Sequence, residues 1–202
     1  MTKDPEAIAM ELEQISAEFQ RNIDHQLAQQ PQDDPQSELA IKLNNDEFYQ
    51  LIASSVANHP TKEKLWGATD GITTKINADN TIEIEGTIKL NHIPYEVFSP
   101  TQQKLLRSQL EPLSLVGGNN LNVKLEGELR ANKGELFLKP NAKLQVGWIN
   151  VNLNQVTGKL GVKGPQLREL LSVELDPLRV TMVETHPDQI TIVGRDRRKQ
   201  SG

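Results

Sequence analysis

The stretch Thr81-Ile82-Glu83-Ile84-Glu85-Gly86-Thr87-Ile88-Lys89-Leu90 decides the fold class. Ile82, Ile84, Ile88 and Leu90 hold even positions, and Glu83, Glu85 and Lys89 hold odd ones. An extended chain sends alternate side chains to opposite faces, so this segment predicts a strand with one apolar and one charged face. Asp79-Asn80 ahead of it is turn chemistry. The same period returns in Leu121-Asn122-Val123-Lys124-Leu125-Glu126-Gly127-Glu128-Leu129, now with the apolar residues on odd positions. Asn132-Lys133-Gly134 predicts a tight turn into Glu135-Leu136-Phe137-Leu138. Leu144, Val146 and Trp148 alternate, then Ile149, Val151 and Leu153 alternate on the other parity, which predicts a bulge or bend beside Gly147. Leu178-Val180-Met182 and Ile190-Ile192 read as a closing hairpin across His186-Pro187-Asp188.

Single-faced alternation is the habit of antiparallel sheets, which bury one face and wet the other. The cover must come from helices. Asn45 is placed to cap a helix from Asp46 to about Asn58, with Phe48, Leu51, Ile52, Ser55 and Val56 on one face and His59-Pro60 ending it. Ser99-Pro100-Thr101-Gln102 has the form of a capping box, opening a helix that offers Leu105, Leu106, Leu110 and Leu113. A further helix from Gly164-Pro165 to about Leu175 offers Leu167, Leu170, Leu171 and Leu175. Leu39, Ile41 and Leu43 alternate in a strand ahead of the first of these. The expected fold is therefore α+β: a curved, mostly antiparallel sheet packed on short amphipathic helices.

An N-terminal helix precedes this body. Asp4-Pro5 is a helix start, and Ile8, Leu12, Ile15, Phe19, Ile23 and Leu27 form a narrow stripe. Two readings fit the stripe: a helix laid on its own domain, or a short coiled-coil seam making a homodimer through residues 5–28. Gln29-Gln30-Pro31-Gln32-Asp33-Asp34-Pro35-Gln36 is polar and proline-bearing. The expected organisation is an amphipathic helix over 1–28, a linker over 29–37, an α+β domain over 38–194 and a basic disordered tail over 195–202.

Composition narrows the function classes. Hydrophobic residues make up 36%, a low share that fits a chain with parts outside the core. Net charge is −5, and the bases gather only in Arg195, Arg197, Arg198 and Lys199, so the tail is the candidate membrane-surface contact. The acidic balance and two tryptophans argue against a nucleic-acid partner. There is no cysteine, so disulfides, thiolate metal sites and cysteine nucleophiles are excluded. No apolar run reaches membrane-span length, and Met1 to Gln14 has no apolar signal core. The expected location is cytoplasmic or peripheral if the chain stands alone, and extracytoplasmic if it is a piece of an anchored protein.

From Leu39 to Gly194 the order of elements resembles small bacterial extracytoplasmic lipid-binding-like domains of the YpmS and YceB kind, related to the TULIP (tubular lipid-binding) superfamily. The likeness rests on Asn45-Asp46-Glu47-Phe48-Tyr49-Gln50-Leu51-Ile52 as the first helix, and on Lys133 to Pro140 with Leu144-Gln145-Val146-Gly147 as a strand pair. It also rests on Leu167-Arg168-Glu169-Leu170-Leu171 with Leu178-Arg179-Val180 and Gln189 to Gly194 as the last helix and hairpin. Such proteins usually begin with a membrane span or signal, and the helix over residues 5–28 is an addition. The resemblance implies a groove for a lipid or another apolar ligand between sheet and helices, drawing on Leu105, Leu106, Leu110, Trp148, Leu167, Leu170 and Leu171. The competing reading makes the same residues ordinary core.

No residue pattern fixes a reaction. His25, His59, His92 and His186 share no metal-ligand spacing. Asp70, Asp79 and Asp188 stand in turn sequences, and Gly117-Gly118-Asn119-Asn120 leads into a strand where a phosphate loop would lead into a helix. The expected protein is non-enzymatic, without a cofactor: a lipid or apolar-ligand module, or else a structural adaptor that binds itself or a protein partner through the N-terminal helix or a sheet edge.

Overall fold

The computed structural model describes residues 4–31 and 37–199. It is an α+β fold with antiparallel sheets and an N-terminal helix. The helix α1 (Pro5–Ala28) starts as its sequence predicts: the Asp4 side chain accepts from the Glu6 N–H, and proline sits in the first turn. Its stripe is buried at Ile8, Leu12, Phe19, Ile23 and Leu27 within the same chain. These side chains, the ones a dimer seam would use, are occupied by the domain itself.

Strand β1 (Leu39–Asn44) leads into α2 (Asn45–Ala57). The cap is Asn44, one residue before the expected Asn45, in a reciprocal capping box with Glu47. The short helix α3 (Pro60–Gly67) follows, where the sequence reading ended helix at His59-Pro60; proline is at home in a first helical turn, so it ends one helix and opens the next. Then come β2 (Thr69–Ile76) and β3 (Thr81–Lys89), two short 3₁₀ turns at Leu90–His92 and Tyr95–Val97, and α4 (Pro100–Gly117). The chain continues through β4 (Asn120–Asn132), β5 (Glu135–Leu138), β6 (Lys143–Val146), β7 (Ile149–Asn152), α5 (Leu153–Lys159) and α6 (Gly164–Leu171). It closes with β8 (Ser172–Val173), β9 (Leu178–His186) and β10 (Gln189–Asp196).

One sheet has the order β1-β10-β9, all antiparallel. The other runs β2-β3-β4, and the long β4 then serves two partners on its far side. Val123 to Glu126 pair with β6, which carries β7; Leu129 to Asn132 pair with β5, which carries β8. A bridge between Gly134 and Val180 ties the two sheets together. The main core lies between them and the helices α1 and α2, with Ile41, Leu43, Phe48, Ile82, Leu136, Leu178 and Ile190 almost fully buried.

The free edge of β1 is closed by side chains of α1. The Gln30 carboxamide donates to the Ala40 carbonyl (2.5 Å) and accepts the Ala40 N–H (2.8 Å). Gln26 does the same for Lys42, at 2.9 and 2.8 Å. The Asn44 N–H goes to Glu47 (2.8 Å), which Asn22 holds at 2.6 Å. The match is geometric: four residues of helix rise about 6.0 Å, and two residues of strand advance about 6.6 Å. Residues 26 and 30 therefore keep step with residues 42 and 40, and the two amides stand in for a missing neighbouring strand.

Four expectations need correction. The parity flip at Trp148-Ile149 is a hairpin turn: Val146 pairs with Ile149, and Gly147 supplies the positive φ (60°) that the first residue of such a turn wants. Leu153 does not continue the strand but opens α5, because Asn152 and Gln155 form a capping box. The helix expected to reach Leu175 stops at Leu171. The basic segment is not a loose tail as far as Lys199: β10 runs to Asp196, paired with Leu178, and Arg197–Lys199 form a 3₁₀ turn. Asp196 is buried and binds the Arg198 guanidinium at 2.8 Å, while Arg197 reaches Glu174 (3.7 Å) and the Gly134 carbonyl (3.4 Å). Residues 32–36 of the expected linker and 200–202 of the expected tail lie outside the described residues.

Candidate functional site

Helix α2 is fixed at its N-terminus. The Asn45 side chain accepts the Ile76 N–H of β2 (2.8 Å) and donates to Asp188 in the β9–β10 turn (3.0 Å). So held, α2 lays Phe48, Leu51, Ile52, Ser55 and Val56 over the inner face of the larger sheet. A cleft of about 190 Å³ remains between them. Its floor is Ile82 and Ile84 of β3, Leu125 and Leu129 of β4, and Leu136 and Leu138 of β5. Leu171 of α6 and Val173 of β8 close one side, and Lys62 of α3 completes the lining. Every lining residue but Ser55 and Lys62 is apolar. The glycine at 127 keeps the floor flat: a Cβ there would stand 2.7 Å from Leu138 Cδ1 and 2.8 Å from the Ala142 methyl.

The apolar floor extends beyond α2. Register aligns Ile84, Leu125, Leu144 and Val151 in one row across β3, β4, β6 and β7, and Gly86, Val123, Val146 and Ile149 in the next. The apolar side chains of both rows are only half-buried, and Ile149 is 40% exposed. None of the described side chains of α4 is buried. Its ties are polar: Gln102 donates to the Leu160 carbonyl (2.9 Å), Gln103 to the Phe98 carbonyl (2.9 Å), and Arg107 stacks on Tyr95 at 4.0 Å.

The charge of the lining is that of Lys62. Burial pushes the Lys62 ammonium below the usual lysine range, and Glu169 of α6 acts in the opposite sense. His59 Nε2 stands 3.5 Å from a Glu169 carboxylate oxygen. Among the described residues, His59 Nδ1 is buried with no hydrogen-bond partner. Two bases from the α2–α3 corner thus converge on one carboxylate from α6, which is the helix that closes the cleft.

Of the residues expected to line a groove, the structure brings Leu171 into this cleft. Leu110 lines a separate hollow of about 380 Å³ with Leu90, Ile93, Tyr95 and Arg107. Leu105 and Leu106 are half-buried on α4. Trp148 is corrected: it sits on the β6–β7 turn, 60% exposed, because the parity flip is a hairpin tip. The side chains of Leu167 and Leu170 lie outside the described residues. The α2 residues were missed as site residues, although Phe48, Leu51, Ile52, Ser55 and Val56 were legible as one helix face. Lys62 gave no sequence signal, since its role depends on α3.

A polar hollow of about 540 Å³ lies on the outer sheet face, lined by Glu85, Thr87, Asn122, Lys124 and Gln145. Its charges answer one another: Lys124 binds Glu83 (2.5 Å) and Glu85 (3.0 Å). Among the described residues, no group of three His, Asp or Glu side chains is arranged to hold a metal ion, and no helix is long and apolar enough to cross a membrane. No protein-family model matches the sequence, and no curated protein is significantly similar to it.

Proposed function

We propose that this protein is a binding module for a lipid or another apolar ligand, held between α2 and the inner face of the β3-β4-β5 sheet, with α6 as the movable side. The reading agrees with the TULIP-like order of elements. The observation that carries it is the apolar cleft of about 190 Å³, lined by α2, the sheet, Leu171 and Val173. Alone it is smaller than the roughly 300–1,000 Å³ of ligand pockets for drug-sized molecules. The half-buried rows through Leu144, Val146 and Val151 supply the remaining apolar surface once α6 and α4 give way. Opening there is inexpensive, since none of the described side chains of α4 or α6 is fully buried. The test is native mass spectrometry of protein purified from cells, with uptake of a fluorescent fatty acid. A bound lipid, or uptake abolished by Ile84→Trp in the cleft floor, is the expected result. Repeated absence of both overturns the proposal.

An adaptor role is the second reading, and one observation favours it. Strand β7 pairs on one side only, with β6, and beside it Trp148 and Ile149 are exposed. Such an edge is able to accept a strand from a protein partner. Of the surfaces expected for this role, the N-terminal helix has its stripe covered within the chain, and of the sheet edges that of β1 is covered as well.

A further inference from the structure

We infer that the ligand of the cleft is a single-chain amphiphile with an anionic head, a carboxylate or a phosphate, and that its head replaces Glu169 at Lys62 and His59. This inference rests on the proposed binding function and names the ligand class of the same site.

Charge complementarity is the first ground. Among the described residues lining the cleft, Lys62 is the one charged group, and it is partly exposed to water. A lysine half-withdrawn from water beside an apolar cleft gains most from a partner that brings negative charge and an apolar body together. The second ground is the unmet hydrogen-bonding capacity at His59. Its Nε2 faces Glu169 at 3.5 Å, too long for a strong hydrogen bond, and its Nδ1 is buried without a partner among the described residues. The third ground is the state of Glu169. Its side chain is 69% exposed, so it loses little by swinging into water when another anion arrives. Glu169 and the cleft-closing Leu171 share α6, so the same movement that frees the bases also opens the apolar side.

The recognition is therefore a substitution. In the empty protein Glu169 faces Lys62 and His59 and keeps α6 down. An entering head group takes over both bases, and its chain enters the space that α6 gives up. A neutral chain of the same length makes the apolar contacts but leaves Glu169 in competition with nothing, so it gains no charge-assisted bond. Such bonds contribute about 1.5–3 kcal/mol net, which corresponds to at least about tenfold in affinity.

The experiment is a calorimetric comparison of decanoate, decyl phosphate, decanol and decyltrimethylammonium on the whole chain, below their aggregation thresholds. The expected order places decanoate or decyl phosphate at least about tenfold tighter than decanol, with the cation weakest. The difference between the two anions identifies which head is preferred. Lys62→Met is expected to collapse the ratio of anion to decanol affinity, Lys62→Arg to restore that ratio, and Glu169→Gln to tighten the anions selectively. If decanol binds as tightly as the anions, or Lys62→Met weakens all four equally, the head-group assignment is overturned while the apolar cleft stands. If none of the four binds to the folded wild-type protein, the binding function itself falls. Circular dichroism of each variant separates loss of binding from loss of fold.

Discussion

The two ends of the larger sheet are packed by different rules. Where β3, β4 and β5 meet α1, α2 and the small sheet, side chains such as Leu43, Phe48, Ile82 and Leu136 are almost entirely out of water. Where β4, β6 and β7 meet α4 and α5, Val123, Leu144, Val146 and Val151 stay half-exposed, although Leu121 is buried, and α4 is tied by amide and cation–π contacts. Both halves carry the same alternation and amphipathic helices. The difference is whether a helix is backed by a second layer. Helix α2 is pressed from outside by α1, which buries Leu12 and Ile23. Helix α4 has no such backing, and its Leu115 is 88% exposed. A sheet face covered by one unsupported helix layer can be opened without unfolding the molecule, and this is the half beside the candidate cleft.

The strongest way to break this comparison is a matched pair of truncations. Leu43→Ala in the backed half is expected to cost about 2–5 kcal/mol, the range for a fully buried leucine. Leu106→Ala in the unbacked half is expected to cost less than about 1 kcal/mol, as partly exposed positions do. Chemical denaturation of both variants measures the difference. Equal losses would mean that α4 is core after all, and that no part of the sheet is easily uncovered.

The next effect is smaller and concerns the edge of the backed half. Gln26→Ala and Gln30→Ala each remove a pair of hydrogen bonds to β1, and each is expected to cost about 1 kcal/mol. The amides of Lys42 and Ala40 should then exchange with solvent faster, each in its own variant. The double variant should also associate as concentration rises, because it exposes a strand edge. Unchanged exchange at both amides would show that the glutamines decorate the edge without protecting it.

The same contrast explains what the sequence could tell. Period-two alternation located β3, β4 and the β9–β10 hairpin, because the pleat ties each side chain to one face and one face of these strands is wet. The stripe in α1 was legible for the same reason. What alternation does not record is which apolar face receives a second layer, so Leu105, Leu106 and Leu110 read as strongly as Phe48 and Leu51. Local hydrogen bonding defeated the reading elsewhere. The Asn152 and Gln155 side chains turned an alternating segment into α5, and Gly147 turned a suspected bulge into a hairpin. The Arg195 to Lys199 run looked solvated because nothing local shows that Asp196 is buried with Arg198 as its partner. Lys62 became a site residue only through the fold, which brings α3 to the open side of the cleft.

The smallest effects test the comparison through pH, and the two regions should respond at opposite ends of the scale. On the outer face of β3 and β4, hydrogen bonds from Lys124 and Asn77 hold the Glu83 carboxyl below the usual glutamate range. Lys139, with Arg130, does the same for Glu128. A lowered carboxyl binds fewer protons folded than unfolded, so its stabilisation is complete above the ordinary glutamate pKa of about 4.3. It is lost as pH falls through the depressed native value. Each pair is partly open to water and contributes a few tenths to about 1 kcal/mol. Glu83→Gln should therefore lower stability at neutral pH by that amount and flatten the decline on acidification. Lys62 at the cleft works the other way. Its ammonium is destabilised by burial, so the unfolded chain binds the proton more readily than the native one. Stability then rises with pH between the depressed native value and the ordinary lysine pKa of about 10.4. Lys62→Met should remove that alkaline rise and leave the acid limb untouched, while Glu83→Gln should do the reverse. Urea titrations across the pH range would show both limbs in each variant. If either substitution altered both limbs, the outer face and the cleft would not be electrostatically separate, and the division of the molecule into a fixed half and an opening half would lose its support.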